Sequence, residues 1–170
     1  MSPRTFAVTV VLFALAGAPA FAASPLMSDD WTQQACAAWN QNPTLTNGLS
    51  KWMDNDKGRG YKTIHLYRTE CGAGTASELV IVKEGGKAVC KHGGPITHAK
   101  LDYAVDYTMH ATTARWKEMG EGDYGPMKAM MFGRLKFTGP KMEAMGVMGP
   151  FEAFLQMPGK VSWDKACPSR

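Results

Sequence analysis

The stretch from residue 61 to residue 110 constrains the fold most, because its side chains follow the two-residue period of β-strands. Ile64 and Leu66 share one face of a first strand, and residues 78–83 form a second, β-branched strand. Gly85 and Gly86 then supply the positive φ angles of a tight hairpin, and residues 87–91 give a third strand. The sequence therefore predicts a β-sheet.

Residues 101–110 predict a fourth and more regular strand, with one buried face and one solvated face. Its predicted inward side chains are Leu101, Tyr103, Val105, Tyr107 and Met109. Its predicted outward side chains are Asp102, Asp106, Thr108 and His110.

Helical patterns flank the strands. Ser28 is a candidate N-cap, and Trp31, Ala35 and Trp39 follow at a four-residue spacing that places them on one helix face. Pro43 ends this helix, residues 45–53 predict a second helical segment, and residues 54–58 predict a turn rather than a calcium loop.

Helical spacing returns after the fourth strand. One short helix begins at Thr112 or Thr113, and another begins at Pro126 and stops at Gly133. Residues 134–138 alternate again, and a last helix from residue 141 is predicted to end at the Gly-Pro pair of residues 149–150.

The first 22 residues predict a secretory signal peptide. Arg4 precedes an apolar run over residues 6–16, and residues 20–22 have the small-x-small cleavage pattern. The run is shorter than the roughly 20 residues that a membrane-spanning helix needs. We therefore expect a soluble periplasmic or secreted protein whose mature part, residues 23–170, is a single domain.

The charge and composition exclude several classes. A chain that is 45% hydrophobic and 20% charged is neither disordered nor collagen-like. Its net charge of +4 is small and thinly spread, which argues against nucleic acid as a partner.

Four cysteines, an even count in an exported chain, predict two disulfides. Cys71 and Cys90 lie at the ends of neighbouring predicted strands, whereas Cys36 and Cys167 flank the domain. This placement favours Cys71–Cys90 with Cys36–Cys167, and the other two pairings stay open.

Motifs of catalysis are absent from the sequence. It holds no Gly-x-Ser-x-Gly elbow, no His-Glu-x-x-His pair, no phosphate-binding loop and no dinucleotide fingerprint. The four histidines are scattered, without a recognised ligand spacing. We therefore expect a protein that is not an enzyme and that has no cofactor and no metal.

Methionine is the unusual component, because eight of the 12 methionines lie between Met109 and Met148. Three interpretations apply: a copper carrier, a plain core, and the wall of a pocket for a flexible apolar molecule. All eight fall on apolar faces of predicted elements, so composition alone favours the core.

Two blocks of sequence resemble the sterol carrier protein type 2 family. Residues 106–111 are similar to that family's fourth strand, and a short helix follows around Trp116. Residues 122–139 resemble its glycine-containing turn, proline-opened helix, Gly-basic-Leu-basic-apolar strand and closing glycine. Residues 61–90 match more loosely.

The resemblance implies an α/β (α+β) fold, with a five-stranded and mostly antiparallel sheet covered by helices around an apolar tunnel. Family members bind sterols, fatty acids and other lipids without chemistry. Carried over by position, the tunnel wall comprises Trp116, Met119, Met127, Met130, Met131, Phe132, Leu135 and Phe137. The side chains that close it are Met142, Met145, Met148 and Phe151.

We therefore expect a periplasmic carrier of an apolar small molecule or lipid, with transient membrane contact as a means of delivery. The alternative is an accessory module that docks onto a periplasmic enzyme or envelope complex. A copper carrier ranks third.

Overall fold

The structure is a computed structural model that describes residues 23–169. Its strands are β1 (Ser24–Pro25), β2 (Tyr61–Arg68), β3 (Ser77–Glu84), β4 (Lys87–Gly94), β5 (Tyr107–Ala111), β6 (Lys136–Thr138) and β7 (Trp163–Asp164). Its α-helices are α1 (Asp29–Asn40), α2 (Pro43–Thr46), α3 (Thr113–Glu121), α4 (Pro126–Met131), α5 (Lys141–Met145) and α6 (Met148–Leu155). Single 3₁₀ turns lie at Trp52–Asp54, Thr69–Cys71, Ala73–Thr75 and Met157–Gly159.

The main sheet has five strands in the order β4-β3-β2-β5-β6. All neighbouring pairs are antiparallel except β2 and β5, which run parallel. β1 and β7 form a separate two-stranded parallel sheet. The mixed α/β class and the five-stranded, mostly antiparallel sheet are therefore confirmed.

Helix α1 packs against the β3–β4 hairpin with the predicted face. The Ser28 side chain accepts a hydrogen bond from the Trp31 backbone, and Trp31, Ala35 and Trp39 are each 1% exposed. The close approach of helix and sheet depends on Gly93, because a Cβ there would lie 2.3 Å from the carbonyl oxygen of Thr32. The hairpin itself turns at Gly85 and Gly86, with φ angles of 54° and 75° as predicted.

The fourth strand is shorter than predicted, because it begins only at Tyr107. Asp106, expected on the solvated face, is 1% exposed and organises a turn. Its carboxylate accepts hydrogen bonds from the Arg59 side chain and from the backbone of Asp102 and Thr63. The turn carries Tyr103, predicted to face inward, to 48% exposure.

The predicted cysteine pairing is wrong. The disulfides join Cys36 to Cys90 and Cys71 to Cys167, with Cα–Cα distances of 5.4 Å and 5.5 Å. Cys36 meets Cys90 because α1 packs directly across β4. Cys71 meets Cys167 because the C-terminal tail returns to the end of β2, where Arg68 donates hydrogen bonds to two tail carbonyls.

Two predicted helices are divided. Of residues 45–53, only the start is α-helical, and a 3₁₀ turn follows at Trp52–Asp54. The last helix breaks at residues 146–147 into α5 and α6, and Pro150 lies in the first turn of α6 rather than ending a helix. The first turn tolerates proline because its backbone N–H groups have no partner within the helix.

Aromatic side chains dominate the core between the sheet and the helices. Trp31, Trp39 and Trp116 are almost completely buried, and the Trp39 and Phe154 rings meet edge to face at 6.0 Å. In residues 23–169, no helix has the length and apolarity required to cross a membrane. The predicted signal peptide lies outside the described residues.

Candidate functional site

A groove of about 490 Å³ lies between α4, β6 and α5, and we call it the methionine groove. Its lining residues are Met127, Met130, Met131, Gly133, Leu135, Lys136, Phe137, Lys141 and Met145. Six of the twelve side chains that the sequence proposed for a ligand are therefore brought together: Met127, Met130, Met131, Leu135, Phe137 and Met145.

The local sequence explains why α4 presents methionines to this space. Pro126 opens the helix, and Ala129, with no exposed surface, faces the core. In a helix of only six residues, these two small side chains occupy the narrow face that meets the core. Met131 is consequently 71% exposed and Met127 42% exposed.

The same holds on α5, which buries Ala144 and leaves Met142 78% exposed and Met145 41% exposed. Four of the eight clustered methionines are therefore exposed, which does not fit the plain core that composition alone favours. Of these eight, two are buried, Met109 and Met119.

A second space, which we call the aromatic cavity, lies deeper and has a volume of about 30 Å³. Its lining residues are Trp39, Leu49, Trp52, Ile64, Tyr107, Met109, Ala144, Val147, Phe151 and Phe154. It has no lining residue in common with the methionine groove, but α5 borders both, through Ala144 and Met145. The Phe137 ring also contacts the rings of Tyr107 and Phe151 in the cavity, with distances between ring centres of 5.4 Å and 5.8 Å.

A buried ion pair lies beside this cavity. Lys62 is completely buried, and its Nζ lies 2.6 Å from Glu143 Oε1 on α5 and 3.1 Å from the Trp52 carbonyl oxygen. The Tyr107 hydroxyl donates to the other Glu143 oxygen and accepts a hydrogen bond of 2.9 Å from Trp52 Nε1. The four side chains thus form one connected polar network.

Burial and hydrogen bonding shift the titration of this network. Burial lowers the pKa of Lys62, and the hydrogen bond to Glu143 opposes that effect. Burial and the hydrogen bond to Glu143 both raise the pKa of Tyr107, so its hydroxyl remains a donor.

Sequence reasoning missed Lys62 and Glu143. A signal for Lys62 was present, because it shares the strand face of Ile64 and Leu66, which is otherwise apolar. Glu143 lies in the methionine-rich helix, and the sequence gives no indication that it points inward.

The remaining predicted side chains lie elsewhere. Trp116 and Met119 lie on the inner face of α3 and are each 1% exposed. Trp116 Nε1 donates a hydrogen bond to the Tyr67 carbonyl oxygen. Phe132 is 69% exposed beside Thr69 and His110, outside the methionine groove. Met148 is partly buried against the core. Phe151 lines the aromatic cavity, whereas Met142 lies outside both spaces.

A second buried carboxylate, Glu78, lies among histidines. Its oxygens lie 3.1 Å from His65 Nε2 and 3.1 Å from His98 Nδ1, and Thr97 also donates to it. Burial alone would raise the pKa of Glu78, but hydrogen bonds from His65, Thr97 and His98 outweigh it and leave the pKa lowered. Among the described residues, no cluster of three or more histidine, cysteine or acidic side chains is placed to hold a metal.

Comparison with known proteins gives a family and a fold. The sequence pattern of the SCP-2 sterol transfer family matches residues 54–152, and no curated protein matches the chain. A solution structure from Thermus thermophilus, described as a possible sterol carrier protein, has a TM-score of 0.55 at 17% identity, with 86% of this chain and 99% of that chain covered. A crystal structure of sterol carrier protein 2 has a TM-score of 0.53 at 17% identity, with 81% and 99% covered. At this identity, the two structures establish a shared fold.

Proposed function

The chain belongs to the SCP-2 sterol transfer family, and from this premise we propose that it is a non-catalytic carrier of an apolar ligand outside the cytoplasm. The family supports lipid or sterol binding or transfer in general. The position of the ligand site and the location outside the cytoplasm go beyond the family and are our proposals.

The observation that carries the proposal is the methionine groove. Its wall combines exposed methionines with Leu135 and Phe137 in a space of about 490 Å³, which is within the usual range of ligand pockets of roughly 300–1,000 Å³. Apolar surface left in water costs about 25 cal/mol per Å². A ligand that covers the wall recovers this free energy, and the flexible thioether side chains adjust to chains of different shape.

We place the ligand along Met127, Met130, Met131, Leu135, Phe137 and Met145, with α5 and Phe151 separating it from the aromatic cavity. Trp116, Met119 and Phe132 have no place on this groove and are left out of the proposed site. The apolar tunnel that the resemblance implies remains a prediction. We add the proposal that movement of α5 joins the two spaces.

The two disulfides support export, because such bonds persist in oxidising compartments. With the signal peptide predicted for residues 1–22, they favour a periplasmic or secreted location.

The charge around the groove supports transient contact with an anionic lipid surface. Lys136 and Lys141 line the groove, and Lys128 and Arg134 lie in the same segment, with Arg134 3.9 Å from Glu118. Exposed Met131 and Met142 lie among them. Lysines beside exposed apolar side chains fit the headgroup region of such a bilayer.

Extraction of lipid from the purified protein, followed by mass spectrometry, tests the proposal directly. In parallel, binding of the uncharged fluorophore N-phenyl-1-naphthylamine is compared between the wild type and a variant with Met127→Glu and Met131→Glu. Two carboxylates in the apolar wall are expected to weaken binding at least tenfold, since each would have to lose water against the ligand.

The matched control is Met142→Glu with Phe132→Glu, which places the same two charges on exposed apolar side chains outside the groove. It is expected to bind the fluorophore as the wild type does. The carrier proposal fails if no lipid is extracted and the fluorophore does not bind. The placement in the groove fails if the control weakens binding as much as the groove variant.

An accessory docking module is the second candidate, and the adjacent exposed side chains Met131 and Phe132 favour it, because neighbouring exposed apolar side chains mark interaction sites. A protein partner that co-purifies with the wild type and is lost in Phe132→Ser, together with an absence of extracted lipid, would replace the carrier proposal.

A further inference from the structure

The ion pair between Lys62 and Glu143 connects the central sheet, which carries Lys62, to a short peripheral helix, which carries Glu143. Lys62 lies on β2, which pairs with β3 on one side and β5 on the other. Glu143 belongs to the five-residue helix α5, which begins without a side-chain cap and exposes Met142 and Met145. The cation is therefore held by the sheet, whereas its carboxylate can move with α5.

The surroundings of Lys62 are completed by side chains that do not depend on α5. The ammonium lies 4.2 Å from the centre of the Trp52 ring and donates to the Trp52 carbonyl oxygen. The Tyr107 hydroxyl, oriented by Trp52, points at the same carboxylate. These groups would present the same donors to any carboxylate in the position that Glu143 occupies.

We propose that Lys62 and Tyr107 form a binding site for the carboxylate of an amphipathic ligand such as a fatty acid, and that Glu143 occupies this site until the ligand displaces it. This inference rests on the proposed carrier function and adds the headgroup chemistry of the ligand. An incoming carboxylate has the charge and the two oxygens of Glu143, so the exchange leaves no buried cation without a partner.

The exchange also gives the acyl chain its path. Release of Glu143 frees α5, whose Ala144 borders the aromatic cavity and whose Met145 borders the methionine groove. With α5 displaced, a headgroup at Lys62 and a chain along the groove can belong to one molecule. An uncharged ligand of the same length cannot replace Glu143 without leaving Lys62 unpaired.

The test compares dodecanoic acid with dodecanol as competitors for N-phenyl-1-naphthylamine at neutral pH. In the wild type, the acid is expected to compete at least tenfold more strongly than the alcohol. Glu143→Gln removes the competing carboxylate and is expected to tighten binding of the acid about tenfold, with the alcohol little changed.

Lys62→Met is expected to abolish the preference for the acid while binding of the alcohol persists. If this variant fails to fold because Glu143 is left without a counter-charge, the double variant Lys62→Met with Glu143→Gln removes both charges and should show the same loss of preference. Lys87→Met is the control, since this exposed lysine on β4 lies outside both the groove and the network. It is expected to keep the preference.

Equal competition by the acid and the alcohol in the wild type overturns the carboxylate site but leaves the carrier function in place. A preference that survives in Lys62→Met, or disappears in Lys87→Met, also overturns it. If neither compound competes and the fluorophore does not bind, it is the proposed function that fails.

Discussion

Removal of either disulfide is expected to cost a large share of the stability of the domain. The Cys36–Cys90 and Cys71–Cys167 bonds span sequence separations of 54 and 96 residues. In the chain-entropy description, loops of these lengths correspond to about 4.2 and about 4.7 kcal/mol at 25 °C. A typical domain has a total free energy of unfolding of about 5–15 kcal/mol.

Equilibrium unfolding in urea measures this loss in two double variants, Cys36→Ala with Cys90→Ala and Cys71→Ala with Cys167→Ala. Each pair removes both sulfurs of one bond, so neither variant should contain a free thiol. Each is expected to lose about 4 kcal/mol or to be unfolded without urea. A loss below about 1 kcal/mol in both variants would refute the reasoning from loop entropy.

The connectivity is tested by a third variant, Cys71→Ala with Cys90→Ala, which removes one sulfur from each bond. Thiol titration in denaturant is expected to find two free thiols, Cys36 and Cys167. If it instead finds none, and the first two variants each show two, the bonds follow the pairing that the sequence favoured.

Two further predictions concern charge. Glu78 has a lowered pKa in the folded state, so its ionised form stabilises the fold above the ordinary value of 4.5, and this stability is lost as the pH falls below that value. Glu78→Gln should therefore lower the free energy of unfolding at pH 7 by about 2 kcal/mol, and this free energy should fall less steeply as the pH is lowered. Urea titration at several pH values measures both effects. A pH dependence equal to that of the wild type would contradict the prediction. Lys128→Glu should weaken binding to phosphatidylglycerol vesicles about thirtyfold, because each basic side chain near such a surface contributes about 1 kcal/mol and reversal of the charge changes the binding free energy by about 2 kcal/mol. Lys87→Glu, on the opposite edge of the sheet, should leave vesicle sedimentation unchanged, and equal effects of the two substitutions would argue against a specific docking face.

Local chemistry made much of the fold predictable. The Ser28 cap and the spacing of Trp31 and Trp39 specify α1 and its buried face without reference to the rest of the chain. Gly85 and Gly86 likewise specify the hairpin, because few other residues adopt the positive φ angles that it requires. These features depend on residues close in sequence.

The errors concern contacts between distant segments. The cysteine pairing depends on where α1 crosses the sheet, which the positions of the cysteines along the chain do not determine. The fourth strand was extended too far because Asp106 fits a solvated strand position, and its role as a buried acceptor depends on Arg59, 47 residues away.

The groove was predicted in part. Residues 122–139 indicated where α4 and β6 lie, but not that Pro126 and Ala129 would occupy the core face and turn the methionines outward. The position of α5 depends on the ion pair of Glu143 with Lys62, an interaction across 81 residues that no local pattern contains.

The placement of the disulfides separates global stability from local adaptability. No cysteine lies between residues 91 and 166, so the segment that carries the groove and α5 contains no crosslink of its own, although Cys71 and Cys167 tether its flanks. Local opening of α5 breaks neither bond, and its free energy is set by the contacts of Glu143 with Lys62 and Tyr107 and by the packing of a five-residue helix. The crosslinks can therefore make the whole chain resistant to unfolding without making the entry of a ligand more difficult.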